Sequence, residues 1–399
     1  CEDPKFIWEP ARFGWSFTLG RAYHATNDEK LAVTFWQNFQ EFSTSNPPTK
    51  GPNWASAQEV ALRLIAFCFS VQIFARSPQT TPDRLRAITR SIAEHAARIP
   101  PTMNYARAQG NNHLLAESAG IFTAGIFLQD HPMASAWRKI GWQAFHQGLH
   151  QQIADDGTYA QHSSNYHRLM LELSLWMYCL SKWRGFSFPA TSLHRLAAAT
   201  RWLFSMTNPS SGLAPNLGSN DGAHFLPLSI CSHSDMRPTL QAASRAFLNG
   251  SCLPSGPWDE LSTWIGLSDP LVPIRPASSQ AINRIGTPDL YAYLRTVRFN
   301  SRPNHADQLQ VDFWLHGNPM TLDAGSYRYT APSPWNNSLA GTLCHNTLSI
   351  DNQDQMVRAG KFLWLNWAQS TTLPASSPDL LSAETDAYAN KGITHRRTL

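Results

Sequence analysis

Two histidines and an aspartate late in the chain carry the donor atoms a divalent cation needs. Residues 302–351 begin with His305 and Asp307, run through LQVDFWL, the turn His316-Gly317-Asn318-Pro319 and MTLDAG, and reach His345 at the head of HNTLSID. The two-residue alternation predicts three neighbouring strand segments bearing His305, Asp323 and His345. Neutral imidazole nitrogens and one carboxylate oxygen form a zinc-type donor set, and another divalent cation would accept the same atoms. Ordinary core histidines are the competing reading.

A second group of candidates sits at predicted helix starts. Asn111-Asn112-His113 immediately precedes HLLAESAGIF. Such residues cap a helix, or they use its N-terminal dipole to hold a carboxylate. Tyr166, His167 and Arg168 stand together before LMLELSLWMYCL. They could supply an acid, a base and an anion contact; capping by Ser164 or Asn165, with Tyr166 merely packed, is the alternative. Glu59 and Arg63 are four residues apart, the spacing of a helical ion pair. On an inner helix Arg63 could instead face a cleft, with Trp54 as a sugar platform. The loop from Pro215 to Gly222, PNLGSNDG, has the polar, turn-rich content of a site rim.

The elements that must position these groups are legible in the hydrophobic period. Helical segments are expected at 16–25, 29–43, 56–76, 82–98, 113–129, 134–153, 164–183, 190–207 and 237–248. AQEVALRLIAFCFSVQIFA and HLLAESAGIFTAGIFL are apolar nearly all round, as in the inner ring of a two-layer helical array. From about 281 the period falls to two, beginning with LYAYLRTVRF. The expected domains are therefore a helical one over 1–250, a Ser/Pro/Gly-rich linker over 251–280 and a β domain over 281–399. The last ends abruptly in THRRTL and is expected to be incomplete.

Composition narrows the function. The 399 residues are 42% hydrophobic and 15% charged, with a net charge of +4 and basic residues scattered along the chain. That argues against nucleic-acid binding. Fifteen tryptophans and twenty phenylalanines suit a sugar-binding cleft as well as an aromatic core. The six cysteines form no CxxC pattern; Cys231 and Cys252 flank a loop-rich stretch and could pair. No stretch reads as long and apolar enough to span a membrane.

Taken together, NWASAQEVALR, NNHLLAESAG, DDGTYAQHSSNYHRLMLE, PNLGSNDGA, RPNHADQLQVDFW, TLDAGSYRY and CHNTLSID resemble the heparinase II/III-like polysaccharide lyases, over nearly the whole chain. The resemblance implies an (α/α) toroid of helical hairpins followed by an antiparallel β-sandwich. It implies β-elimination at a uronic acid of an acidic polysaccharide, in a periplasmic or secreted bacterial protein, with the oligomeric state left open. Asn112, with His113, would neutralise the uronate carboxylate. Tyr166 would be the catalytic tyrosine, with His167 in the same site, and Asn111, Trp54, Arg63 and Arg302 would contact substrate. His305, Asp323 and His345 match the family's zinc ligands, a metal with a structural part. Many relatives carry a further histidine two residues before the metal-binding one; here that position is Pro303. His305 itself, Tyr327, Tyr329 or Arg302 would then take up its catalytic part.

Two rival readings follow from the same residues. An inverting glycoside hydrolase on a helical toroid needs two carboxylates across one cleft, and Asp156 and Asp221 are the candidates. A non-catalytic glycan-binding protein of a polysaccharide biosynthesis system is the other, with Pro303 as its hint.

Overall fold

The computed structural model describes residues 3–221, 224–267, 272–279 and 282–399. Gly222, at the end of the expected site-rim loop, lies outside the described residues, as do Ala223 and parts of the expected linker. Twelve α-helices are described: α1 (Pro4–Ala11), α2 (Trp15–Thr26), α3 (Glu29–Ser45), α4 (Ala57–Phe74), α5 (Pro82–Arg98), α6 (Met103–Gln109), α7 (Asn112–Phe127), α8 (Ala134–Gln152), α9 (Ser164–Arg184), α10 (Ala190–Met206), α11 (Arg237–Phe247) and α12 (Asp259–Trp264). All nine expected helical segments are present, with ends within a few residues of those read from the sequence. Three short helices were not foreseen: α1, α6 and α12.

The helices form two layers, as the apolar patterns require. In α4 and α7 nearly every residue is buried, polar ones included, whereas α5 buries one face. The inner helices cross closely where side chains are small: a Cβ on Gly120 would lie 2.7 Å from that of Ala61, and one on Gly141 would lie 2.6 Å from the Ser118 carbonyl. By length and composition α4 could cross a membrane, contrary to the expectation that no stretch could. It is the only such helix among the described residues, and 83% of it is buried in the helical core. The expected linker is partly folded, because Leu261 and Ile265 bury against the main core and Glu260 pairs with Arg21 at 2.6 Å. Cys231 and Cys252 are free thiols; the Cys252 thiol donates to Gln241 at 3.8 Å.

Three antiparallel sheets follow among the described residues. β1 (Arg284–Gly286), β2 (Leu290–Leu294), β3 (Val311–Leu315) and β4 (Asn318–Pro319) form one, in sequence order. β5 (Val357–Gly360) and β6 (Leu363–Leu365) pair, and β7 (Ser370–Leu373), β8 (Ser382–Thr385) and β9 (His395–Thr398) form the third. Strand alternation explains how the halves join. Ala292 and Leu294 of β2 pack with Val311 and with Ala383 of the third sheet. Tyr291 and Tyr293, on the other face, join Trp314 in the helical core cluster. Asp312 is registered opposite Tyr293, so its side chain also faces the helical half.

Candidate active site

Successive helical hairpins place α4, α7 and α9 side by side in the inner layer with their N-termini at one end. A cavity of about 530 Å³ opens there, walled by Gln58 and Glu59 of α4, Asn112, His113 and Glu117 of α7, Tyr166 of α9, and Asp221. The β domain closes it with Arg302, Asn304, Tyr329 and Lys361.

Local chemistry fixes these helix starts. Asn111 caps α7 by accepting from the His113 N–H at 3.1 Å, and its amide donates to Gln109 at 3.0 Å. The Asn112 amide donates to Gln58 Oε1 at 2.5 Å, fixing its plane. Ser163 caps α9, accepting from the Tyr166 N–H at 3.1 Å. Ser164 instead donates to the Pro215 carbonyl and accepts from the Leu217 N–H, clasping the 215–221 loop. The Tyr166 hydroxyl donates to Asp221 Oδ2 at 3.2 Å. Burial and the Asp221 charge push the Tyr166 pKa well above the ordinary phenol value, against the pull of Arg12. Tyr166 therefore stays protonated through the neutral range. Glu59 is held by Arg12 at 2.5 and 2.9 Å.

The metal-ligand candidates lie behind this cleft. His305, Asp307, Asp323 and His345 are all buried, each offering one donor atom within 4.8 Å of the others. His305 Nδ1 and His345 Nδ1 each lie 3.5 Å from an Asp323 oxygen. His305 Nδ1, both nitrogens of His345 and both oxygens of Asp307 have no hydrogen-bond partner, although Arg295 Nε lies 2.8 Å from Asp307 Oδ2. Such buried, unsatisfied donor atoms are what a metal ion would occupy, so these residues could hold one. Burial opposes the Asp323 charge, but the two histidines and the Gly325 N–H outweigh it and hold its pKa at about 2. Asp312, buried and facing Asp323, is pushed up to about 7. The Asp323 carboxylate also accepts from the Gly218 N–H at 3.4 Å, which ties the cluster to the loop that carries Asp221.

Several expected positions are corrected. The three metal-ligand candidates sit on loops, not strands: MTLDAG forms no strand after Pro319, and of HNTLSID only Ile350 makes an isolated bridge. Side-chain bonds replace the ladder there, among them Asn346 to the Val311 carbonyl and Thr347 to the Gln308 carbonyl. His305 is 2% exposed and belongs to the buried cluster; it is not among the residues lining the cleft. His167 lines a different cavity, of about 340 Å³, between the helical and β halves. Its Nε2 faces the Ala199 carbonyl at 2.9 Å, its ring stacks on Trp202, and burial lowers its pKa to about 4. Arg63 is fully buried and donates to His95, to Ala11 and to Asn53, so it is neither Glu59's hydrogen-bonded partner nor a substrate contact. Trp54 is also buried, donating to the Asn46 carbonyl, and offers no sugar platform. Asn111 lines the cleft, but its side chain is committed to capping. Tyr327 packs on Trp335 away from the cleft, while Tyr329 and Arg302 line it. Asp156 and Asp221 line different cavities, so they are not the paired carboxylates of an inverting hydrolase.

Arg12, Glu117 and Lys361 were missed. Arg12 follows a short helix whose Pro-interrupted sequence gave no helical period. Glu117 stands one turn after His113 in NNHLLAES, a spacing that could have flagged it. Lys361 comes from a hairpin far along the chain and left no sequence signal.

Comparison with known proteins agrees with this architecture. A family model described as Heparinase II/III N-terminus matches residues 2–225, and one described as Heparinase II/III-like, C-terminal matches residues 290–399. A heparin-sulfate lyase of Bacteroides stercoris is 28% identical over 186 residues, covering 42% of this chain and 27% of that protein. A heparin-sulfate lyase of Pedobacter heparinus is 22% identical over 421 residues, covering 100% of this chain and 58% of that protein. A crystal structure of heparinase III superposes with a TM-score of 0.72 at 19% identity, over 97% of this chain and 60% of that one. The chain thus spans at most 60% of the length of these relatives.

Proposed function

The chain belongs to the heparinase II/III family, and from that premise we propose that it is a polysaccharide lyase that cleaves an acidic, uronate-containing glycan by β-elimination. The observation that carries the reading is the meeting of Asn112 and Tyr166, from the starts of two adjacent inner helices, in one cleft that the β domain closes with Arg302 and Lys361. The relatives' heparin sulfate is a substrate of this class. A polymer of that size and charge does not cross a membrane unaided, which supports a periplasmic or secreted setting.

In the proposed reaction the C5–H and C4–O bonds break and a C4–C5 double bond forms. The C5 proton is weakly acidic while the neighbouring carboxylate is charged. Asn112, at the positive end of α7, donates to that carboxylate and stabilises the charge that develops. A cleft base takes the C5 proton, and the departing glycosidic oxygen takes one from an acid. Tyr166, held protonated, fills the acid role. Tyr329 is the second phenol lining the cleft, with Lys5 Nζ 5.3 Å from its ring centre, and is our candidate base. A divalent cation, zinc by its donor set, would be held by His305, Asp323 and His345 with Asp307 beside them. Its chemistry there is to cross-link loops behind the cleft.

The test is to incubate the protein with a panel of uronate polysaccharides and follow the ultraviolet absorbance of the unsaturated product. New chain ends that are all saturated would overturn the elimination reading. Binding without any cleavage would favour the glycan-binding alternative.

A further inference from the structure

Beside the cleft, where α1 meets the β domain, three large aromatic side chains stand in solvent. Phe6 of α1 is 54% exposed, Trp335 is 54% exposed and Tyr327 is 46% exposed. A single exposed apolar residue is ordinary, whereas a cluster of large ones marks a contact surface. One cation ties these three together. The Arg328 guanidinium lies 5.3 Å from the ring centres of both Phe6 and Tyr327, and the Tyr327 and Trp335 rings meet edge to face at 6.0 Å. Among the described residues the Arg328 side chain makes no ion pair and no hydrogen bond, and its Nε is shielded from solvent without a partner. Asp3, the acid that anchors this loop, is buried and accepts from the N–H groups of Lys5, Tyr329 and Thr330. The patch is continuous with the cleft. Lys5 and Tyr329 line the cavity, and their chain neighbours Phe6 and Arg328 belong to the patch. Lys5 Nζ donates to the Tyr327 carbonyl at 2.9 Å. The Asn337 N–H donates to the Arg328 carbonyl at 2.7 Å, and the Asn337 amide to the Lys361 carbonyl at 2.6 Å. The loop bearing Tyr327, Arg328 and Trp335 is thus fastened to both lysines of the cavity.

We infer that this patch is an outer sugar-binding subsite, which holds a part of the acidic glycan beyond the sugar being cleaved. Trp335 and Tyr327 take the apolar face of a sugar ring. Arg328, set between rings and free of any acid of its own chain, offers its planar fork to the carboxylate or sulfate on that sugar. The occupant follows from two observations. The patch shares an edge with the cleft, and its unpaired charge has the sign an acidic polymer needs. A second contact on the same chain strengthens binding without touching the reacting bond, so the subsite selects for glycan length. The inference rests on the reading of the cleft as a glycan site; it does not require that the glycan be cleaved.

The test is affinity electrophoresis of the full chain through gels containing heparan sulfate or alginate, with size-fractionated fragments of each polymer as competitors. Arg328→Gln and Trp335→Ala should each raise the polymer Kd about tenfold and leave the affinity for the shortest bound fragment unchanged. Arg328→Lys should recover only part of the loss, because it keeps the charge without the fork. Trp335 is more than half exposed, so its variant decides the matter even if Arg328→Gln fails to fold. Wild-type protein retarded by neither polymer would overturn the inference. So would a polymer Kd unchanged in both variants, or a loss of equal size for the shortest fragment and the polymer. Unchanged polymer affinity together with a dimer that Trp335→Ala dissociates in sedimentation would give the patch to a second copy of the chain instead. The two readings fail separately. Weakened polymer binding in the variants with no unsaturated product from the wild type would sink the lyase reading and keep the subsite; unsaturated product with unaltered polymer KM in the variants would do the reverse.

Discussion

Tyr166→Phe separates catalysis from stability at the centre of the cleft. The substitution removes one oxygen and leaves the ring. That oxygen makes one hydrogen bond, 3.2 Å to Asp221 Oδ2, in a half-buried setting. Losing it should cost about 0.5–1.5 kcal/mol of stability, a fall in Tm of only a few degrees for a chain this long. If the hydroxyl protonates the departing oxygen, its loss should lower kcat by about 10²–10⁴, or roughly 3–5 kcal/mol of transition-state stabilisation. The two effects differ enough to be told apart. The assay pairs initial rates of product absorbance at saturating substrate with a thermal melt of the same sample. Turnover within tenfold of wild type would refute the acid role. A collapse of Tm matching the loss of activity would refute it too, by making the hydroxyl structural. Because the Tyr166 pKa is raised, any alkaline limb in the wild-type profile below the ordinary phenol pKa of about 10 should survive this substitution.

Other outcomes follow from the same contacts. Glu172 is fully buried and accepts from the Phe225 and Leu226 N–H groups at 2.6 and 3.0 Å, from Thr239 at 2.9 Å and from His224. Glu172→Gln should cost about 3–5 kcal/mol in denaturant unfolding, since it strips a buried charge from Arg168 and His224. Burial pushes the Glu172 pKa up, but His224 and Arg168 outweigh it and hold it at about 2. Its contribution is therefore present above its unfolded value of about 4.3 and lost as pH falls toward 2, so the variant should show a weaker acid dependence in that window. Arg63→Ala removes three buried hydrogen bonds and should lower stability by about 3–5 kcal/mol with KM unchanged; a raised KM at full folding would return Arg63 to the substrate. Removing a divalent cation with a chelator should lower Tm, by about 4 kcal/mol of stability for free metal held at a thousand times Kd, and zinc should restore it. Elemental analysis showing no metal in the purified protein, with a Tm insensitive to zinc, would refute the metal reading.

Much of the scaffold was legible because hydrophobic period is a local property. The all-apolar runs of α4 and α7 pointed to inner helices, and the period of two in LYAYLRTVRF pointed to a strand. The likeness of the motifs to a known family, and the candidates Asn112, Tyr166, Asp323 and His345, could also be read from order and spacing. What the sequence could not decide was which side of an element each group faces and what already occupies its hydrogen bonds. Adjacent residues on a helix diverge by about 100°, so Tyr166 reaches the cleft while His167, next to it, stacks on Trp202 in another cavity. Arg63 looked like Glu59's partner at the ideal spacing, yet Arg12, 47 residues away in sequence, holds that carboxylate. The same holds for the block around His305. Its residue types offered donors that could hold a metal, but only tertiary packing put those donors on buried loops behind the cleft and left the cleft to Arg302, Tyr329 and Lys361. Donor type is fixed by the residue, whereas its availability is set by long-range contacts that no local pattern records.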